Sequence, residues 1–316
     1  MKAGSQTIAA TVATSIAICW CFVGGRAETR TSRIVTAANA FLSTLDESQR
    51  QGVIHSFGDN AQRARWSNFP TGVVPRGGIA PKEMTAQQQA AVMNLLATVL
   101  SPRGLEKVQQ IRQADDNFKD NGSKRGPHGG FPGGPNGGLP MVGTPPGAGG
   151  PPPQLGRRGS GGQGPSAGFG SDLYYISFLG TPSMTNPWML QFGGHHLALN
   201  ITIAGTKGVM TPSLTGAQPA TFQLNGKTIR PLGRESDKGY ALLESLSDDQ
   251  RNQAILTYRV ADLVLGPGQD GKKIAPEGWK ASAVNDKQRA ALLDLIGEWS
   301  DIIDETSAKE RGGFAC

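Results

Sequence analysis

Apolar residues recur at helical spacing in four stretches of the chain. Val35, Ala38, Leu42 and Leu45 form the first set, and Val92, Leu95, Leu96 and Val99 the second. Leu105, Val108, Ile111 and Phe118 follow Pro102, and Leu292, Leu295, Ile296, Trp299, Ile302 and Ile303 lie near the end. Steps of three and four put each set on one helix face. Helix starts are marked as well. Asp46-Glu47-Ser48-Gln49, Thr85-Ala86-Gln87-Gln88, Ser247-Asp248-Asp249-Gln250 and Asn285-Asp286-Lys287-Gln288 each pair an N-cap residue with a Gln three places on. In that box the first side chain accepts from an orphan backbone N–H and the Gln reaches back to the cap. Shared capping chemistry accounts for the repetition without an internal duplication.

Between these helices the period changes to two. Tyr174, Ile176 and Phe178 alternate with Tyr175, Ser177 and Leu179. Residues 180–187 read as a turn, and 188–203 as one long strand, straight or bulged. Residues 221–224 and 228–231 predict a hairpin around Asn225-Gly226. After Gly233 the helical pattern returns, with a helix over 235–246. Helices, then strands, then helices predict an α+β fold: a central, mostly antiparallel sheet flanked by N-terminal and C-terminal helices.

Composition divides the 316 residues further. Of the 44 Gly and 21 Pro, 19 and 10 fall within 121–171 and make up most of that stretch, which holds few large apolar side chains. Such a stretch cannot offset the entropy of ordering, so it predicts a disordered insert; the absence of a strict Gly-X-Y period excludes collagen. Residues 28–120 and 172–316 are then two parts of one domain. Residues 1–27 read as a cleavable signal peptide: Lys2, an uncharged run from Ile8 to Val23, and Gly25-Arg26-Ala27 at the cleavage site. An uncleaved anchor is the rival reading, and Thr, Ser and Gly dilute the run against it. The expectation is a periplasmic or secreted protein with no membrane span after cleavage. Cys19 and Cys21 leave with the signal, so Cys316 stands alone and neither an intramolecular disulfide nor a Cys-based metal site is expected. The formal charge is +6, but Lys2, Arg26, Lys124, Arg125, Arg157 and Arg158 lie in the leader or the insert. No basic stripe interleaved with aromatics remains, which argues against a nucleic-acid partner.

The densest motif is Phe192-Gly193-Gly194-His195-His196-Leu197-Ala198-Leu199-Asn200. Past Gly194, Leu197, Leu199, Ile201 and Ile203 share one face, while His196, Ala198, Asn200 and Thr202 share the other. Adjacent histidines on a strand diverge unless a bulge re-aims one, and Gly193-Gly194 is where a bulge can form. The functional reading gives His196, with His195, a divalent metal such as zinc or a general-base role, and has Asn200 orient a ligand or water. Glu235 at a predicted helix start is the candidate acid/base partner or third metal ligand, and His55 the residue that completes a His/His/Glu set. Arg234 is a candidate clamp for a carboxylate or phosphate. The structural alternative makes His195 a hydrogen-bonded core residue, His196 and Asn200 polar sheet residues, Glu235 a helix-dipole partner and Trp66 core. No P-loop, His-Glu-x-x-His or haem-attachment motif is present, and the Gly-x-Ser-x-Gly string at residues 164–168 falls in the Gly/Pro stretch rather than at an expected strand-to-helix elbow.

The segment 192–200, with Leu179-Gly180-Thr181-Pro182 and Pro187-Trp188 before it, resembles the bacterial family catalogued as domain of unknown function 3500, marked by a Gly-His-His motif. Arg63-Ala64-Arg65-Trp66 with Pro70, and Pro231-Leu232-Gly233-Arg234-Glu235, also resemble its pattern. The resemblance covers most of the mature chain and departs from it at the Gly/Pro insert. It implies an exported or cell-surface bacterial protein and no established reaction. Two functions follow as expectations: a metal-assisted hydrolase built on the histidine pair, or a non-catalytic extracytoplasmic protein that binds a ligand or a surface.

Overall fold

The computed structural model describes residues 29–122 and 168–303, apart from 259, 261, 262 and 270. The segment read as a signal peptide, most of the Gly/Pro stretch with His128, and Cys316 lie outside the described residues. The chain is α+β. Helices α1 (Arg30–Ser43) and α2 (Glu47–Val53) lead into a short strand β1 (Ile54–His55), followed by α3 (Asn60–Arg63), α4 (Ala86–Val99) and α5 (Pro102–Gly122). Strands β2 (Tyr175–Leu179), β3 (Trp188–Gly194), β4 (Leu197–Ala204) and β5 (Lys207–Thr215) come next, then the hairpin β6 (Phe222–Leu224) and β7 (Lys227–Ile229). Helices α6 (Gly233–Glu244), α7 (Asp248–Ala254) and α8 (Asp286–Ser300) end the described chain. No helix among the described residues is long and apolar enough to cross a membrane.

The main sheet has the order β1-β2-β3-β4-β5, with β1 parallel to β2 and every other pair antiparallel. The stretch expected as one long strand is two. It reverses at His195-His196, and β3 and β4 pair from Trp188↔Ile203 to Gly194↔Leu197. The two-residue loop joins the strands without a bulge at Gly193-Gly194, and side chains change parity across it. Trp188, Leu190 and Phe192 therefore share a face with Leu197, Leu199, Ile201 and Ile203. That face is the core. It packs with Ile34, Phe41 and Leu42 of α1, Val92, Leu95, Leu96 and Val99 of α4, and Val108 and Ile111 of α5. Phe178 stacks between Phe41 and Trp188, with ring centroids 6.1 and 6.0 Å away. β5 was not foreseen. It is an edge strand carrying Pro212, which only an edge tolerates, and a register shift interrupts its pairing between Leu199 and Ile201.

The opposite face of the sheet buries a polar ladder. Gln62 of α3 donates to the Ser177 hydroxyl (3.1 Å) and to the Gln191 carbonyl oxygen (3.0 Å). Gln191 donates to Asn200 (2.9 Å), and Asn200 donates to the backbone oxygen of Pro212 (2.8 Å). Asn200 is 1% exposed and both ends of its amide are engaged. Its amide is thus committed to partners in the interior of the sheet. Removing the middle of such a ladder strands a donor on one side and an acceptor on the other. Gln191→Leu is expected to destabilise the fold by about 2–3 kcal/mol, read as a lower urea midpoint at unchanged slope.

All four capping boxes form. They also form in two matching pairs, which capping chemistry alone does not explain. Gln88 of α4 donates to the Thr44 carbonyl (2.9 Å) and to Gln49 (2.8 Å), tying α4 to the α1–α2 junction. Gln288 of α8 donates to the Ser245 carbonyl (3.1 Å) and to Gln250 (3.0 Å), tying α8 to the α6–α7 junction in the same way. A 3-10 turn precedes the last helix in both cases, Pro81–Glu83 and Ala281–Ala283. A helix–helix–turn–helix unit therefore occurs twice. The first copy covers the sheet and is buried. In the second, Ile296 and Trp299 stay 48% and 41% exposed, against 0% for Leu96 and Val99 at the matching positions. Of the apolar stripe expected along the last helix, only Ile302 and Ile303, just beyond the end of α8, are buried. There Ser101 caps α5 by accepting from Gly104 N–H (2.9 Å) while its own N–H donates to Ile302 O (3.0 Å).

Candidate functional site

The Gly-His-His segment is the turn of the β3–β4 hairpin. His196 takes a left-handed conformation (φ 60°), as the second residue of a tight two-residue loop can. The glycines before it are demanded by contact. A Cβ on Gly193 would run into the Leu197 carbonyl, and one on Gly194 into the Leu173 carbonyl and the Tyr174 ring. The turn brings the two imidazoles together, with ring centroids 3.8 Å apart.

His195 points inward and is 2% exposed. Its Nδ1 lies 2.7 Å from Asp115 Oδ1 of α5, and Phe169 meets its ring edge-on at 5.0 Å. Tyr174 donates its hydroxyl to the His195 carbonyl (2.8 Å). The other Asp115 oxygen accepts from Gly170 N–H (3.0 Å), and Asp116 accepts from Ser171 N–H (2.7 Å). The two acids of α5 thus hold both the hairpin tip and the returning chain at 168–171.

His196 is partly buried. Its Nδ1 lies 2.7 Å from Asn68 Oδ1 and its Nε2 3.3 Å from Gln218 Oε1. Burial, and then the neighbouring His195, push its pKa down to about 4. At neutral pH the ring is uncharged, and an amide oxygen at Nδ1 selects the Nδ1–H tautomer. Arg76 locks the surrounding loop. It donates to the carbonyls of Ser67 (2.8 Å), Phe69 (2.7 Å) and Gly194 (3.0 Å), joining the segment after α3 to the hairpin.

The remaining predicted site residues lie elsewhere. Glu235, 7% exposed, is ion-paired with buried Lys107 of α5. Lys107 and Asp115 sit two turns apart on that helix, roughly 12 Å along its axis. Arg234 does not face the hairpin either. Its guanidinium donates to Glu298 of α8 through Nε (3.0 Å), and Lys238 pairs with the same carboxylate (2.6 Å). His55 lies beside Leu179, the partner of Met189, so it stands at the far end of β3 from the turn, roughly 17 Å along the strand. His195, His196, Glu235 and His55 are therefore not brought together as one ligand set. No group of three His, Cys, Asp or Glu residues is placed to hold a metal among the described residues.

The geometry does bring together residues that the sequence did not single out. Asp115, Asn68, Gln218 and Arg76 surround the hairpin, and Arg112 lies one turn before Asp115. Arg112 borders a cleft of about 320 Å³ between α4, α5 and the sheet, lined also by Pro81, Met84, Met93, Tyr174 and Phe192. Its guanidinium lies 5.7 Å from the centre of the Tyr174 ring, and Tyr174 in turn holds the hairpin. A second void, of about 20 Å³, lies against the polar ladder between Trp66, Gln62 and Gln191 and has room for a water.

No curated protein sequence and no solved structure matches the chain. A family model does, over residues 27–313, so it spans both helical units and the hairpin between them. The chain belongs to that family, described as Protein of unknown function (DUF3500).

Proposed function

We propose that this is an exported protein that binds a small ligand without transforming it, at the cleft beside the Gly-His-His hairpin. One contrast carries the reading. The acid and base groups with catalytic potential are bound to partners inside the protein: His195 to Asp115, Glu235 to Lys107, Arg234 to Glu298. The cleft beside them has the volume and the largely apolar lining of a small-molecule site, with a cation at its wall. The uncharged leader pattern supports export. The test is to screen the mature protein, residues 28–316, for ligands by thermal shift and for turnover of ester, glycoside and peptide substrates, with and without chelator. A saturable stabilisation without turnover is expected. Hydrolysis lost in His196→Ala with the fold retained would overturn the reading.

A metal-assisted hydrolase is the second reading, and one observation favours it. His196 is neutral at physiological pH, and Asn68 fixes its Nδ1, which is how protein scaffolds orient an imidazole for coordination through Nε2. That reading expects stoichiometric zinc in the purified protein and loss of it in His196→Ala.

A further inference from the structure

We propose that the cleft between α4 and α5 takes a monocarboxylate with an apolar body, and that Arg112 is the residue that binds its head group; the proposal rests on the ligand-binding reading above. Arg112 projects from α5 into a cleft whose other walls are Met84, Met93, Pro81, Tyr174 and Phe192. Pro81 and the two methionines offer a ligand apolar surface, over a floor in which Tyr174 and Phe192 are buried, and none of these residues is acidic. The guanidinium is under-used. Nη2 donates to the Ser171 carbonyl (3.2 Å), Nη1 has only the thioether of Met93 (3.4 Å), and Nε is buried without a hydrogen-bond partner. A thioether is a weak acceptor, and a buried guanidinium N–H left without one is costly. A carboxylate matches the Nη edge of the guanidinium, because its two oxygens can accept from Nη1 and Nη2 together, while the sealed Nε takes no part.

The charge count narrows the class. Among the described residues that line the cleft, Arg112 is the one cation, and Asp116 acts on it from the same helix. A single cation beside an acid suits a monoanion and does not neutralise a phosphate dianion. The body of the ligand follows from the walls. The two methionines adapt to flexible chains and make favourable contacts with aromatic rings. Straight-chain and aryl-substituted alkanoic acids have this form.

Octanoate and 4-phenylbutyrate are the probes, with octanamide and octyl phosphate as controls, titrated calorimetrically into the mature full-length protein. Saturable binding of the carboxylates is expected, with the amide and the phosphate at least tenfold weaker. Arg112→Lys keeps the charge and loses the fork, and is expected to weaken carboxylate binding about ten- to hundredfold. Because Arg112 also packs on Tyr174, a second variant leaves it in place: Ala90→Trp fills the mouth of the cleft from the exposed side of α4 and is expected to abolish binding. Carboxylate binding unchanged in both variants would overturn the proposal. So would a screen ligand of another class that displaces nothing from Arg112 yet is blocked by Ala90→Trp, and that outcome would leave the cleft as the binding site. Hydrolytic turnover at His196 would sink the ligand-binding reading itself while the calorimetry still reported on the cleft.

Discussion

Lys107→Met is expected to cost the fold about 3–5 kcal/mol, because it leaves the Glu235 carboxylate buried with no cation beside it. Lys107 and Glu235 side chains are 5% and 7% exposed, and the ammonium also donates to the Glu298 carbonyl (2.7 Å). The lysine therefore ties α5 to both outer helices of the second unit. Its loss is expected to loosen α6 and α8 from the rest of the chain. Equilibrium urea unfolding checks the magnitude. The double variant Lys107→Met/Glu235→Leu is expected to recover much of the loss, since replacing both charges by apolar groups removes the desolvation penalty along with the attraction. The cycle also bears on function. If Glu235 were an acid or base for catalysis, the double variant would regain stability and still lack activity. If its role is to pin α6 to α5, ligand binding at the cleft survives in the double variant. A single-variant loss below about 1 kcal/mol would show that the pair is solvated and the α5–α6 contact loose.

The fold was legible where local chemistry decides it. The capping boxes start helices because the signal is contained within four residues, and Asn225-Gly226 turns a hairpin because both residues accept positive φ, 49° and 74°. The histidine hairpin was harder. Its flanks alternate throughout, so period alone reads as one strand; the evidence for reversal is the change from even-numbered core positions 188, 190 and 192 to odd-numbered 197, 199, 201 and 203. Adjacent histidines were the right place to look, but their partners were out of reach. Asp115 falls within the apolar stripe of α5, between Ile111 and Phe118, but the stripe does not name its partner, and only the packing of α5 beside the hairpin brings it to His195. Glu235 and Arg234 looked available because charged residues at a helix start usually face water, whereas here Lys107 and Glu298 take them up. The duplication was hidden for a similar reason. Capping boxes are common, and what makes these two units alike is the second bond of Gln88 and Gln288 to a junction some forty residues upstream, which no local pattern reports.

Stability is expected to fall by about 3 kcal/mol more in the native protein than in His196→Asn when the pH drops from 7 to 4. The sign follows from burial. His196 titrates near 4 in the folded protein, against an ordinary value of 6.5, so between those limits the unfolded chain binds a proton that the folded one does not. Its contribution is complete above about 6.5 and is lost as the pH falls through 4. Protonation would put a charge in a partly buried site against His195, whose ring centre is 3.8 Å away; the Gln218 carbonyl oxygen, 3.3 Å from Nε2, offsets part of that penalty. Asparagine is the substitution of choice because it tolerates the left-handed backbone at this position and does not titrate. Carboxylates lose stability over the same range in both proteins, so the difference between the two urea-unfolding series isolates the imidazole. Parallel curves would mean that His196 is hydrated and free to charge. A divergence of the expected size fixes His196 as neutral at physiological pH, and Arg112 then carries the attraction for an anion without help from that ring.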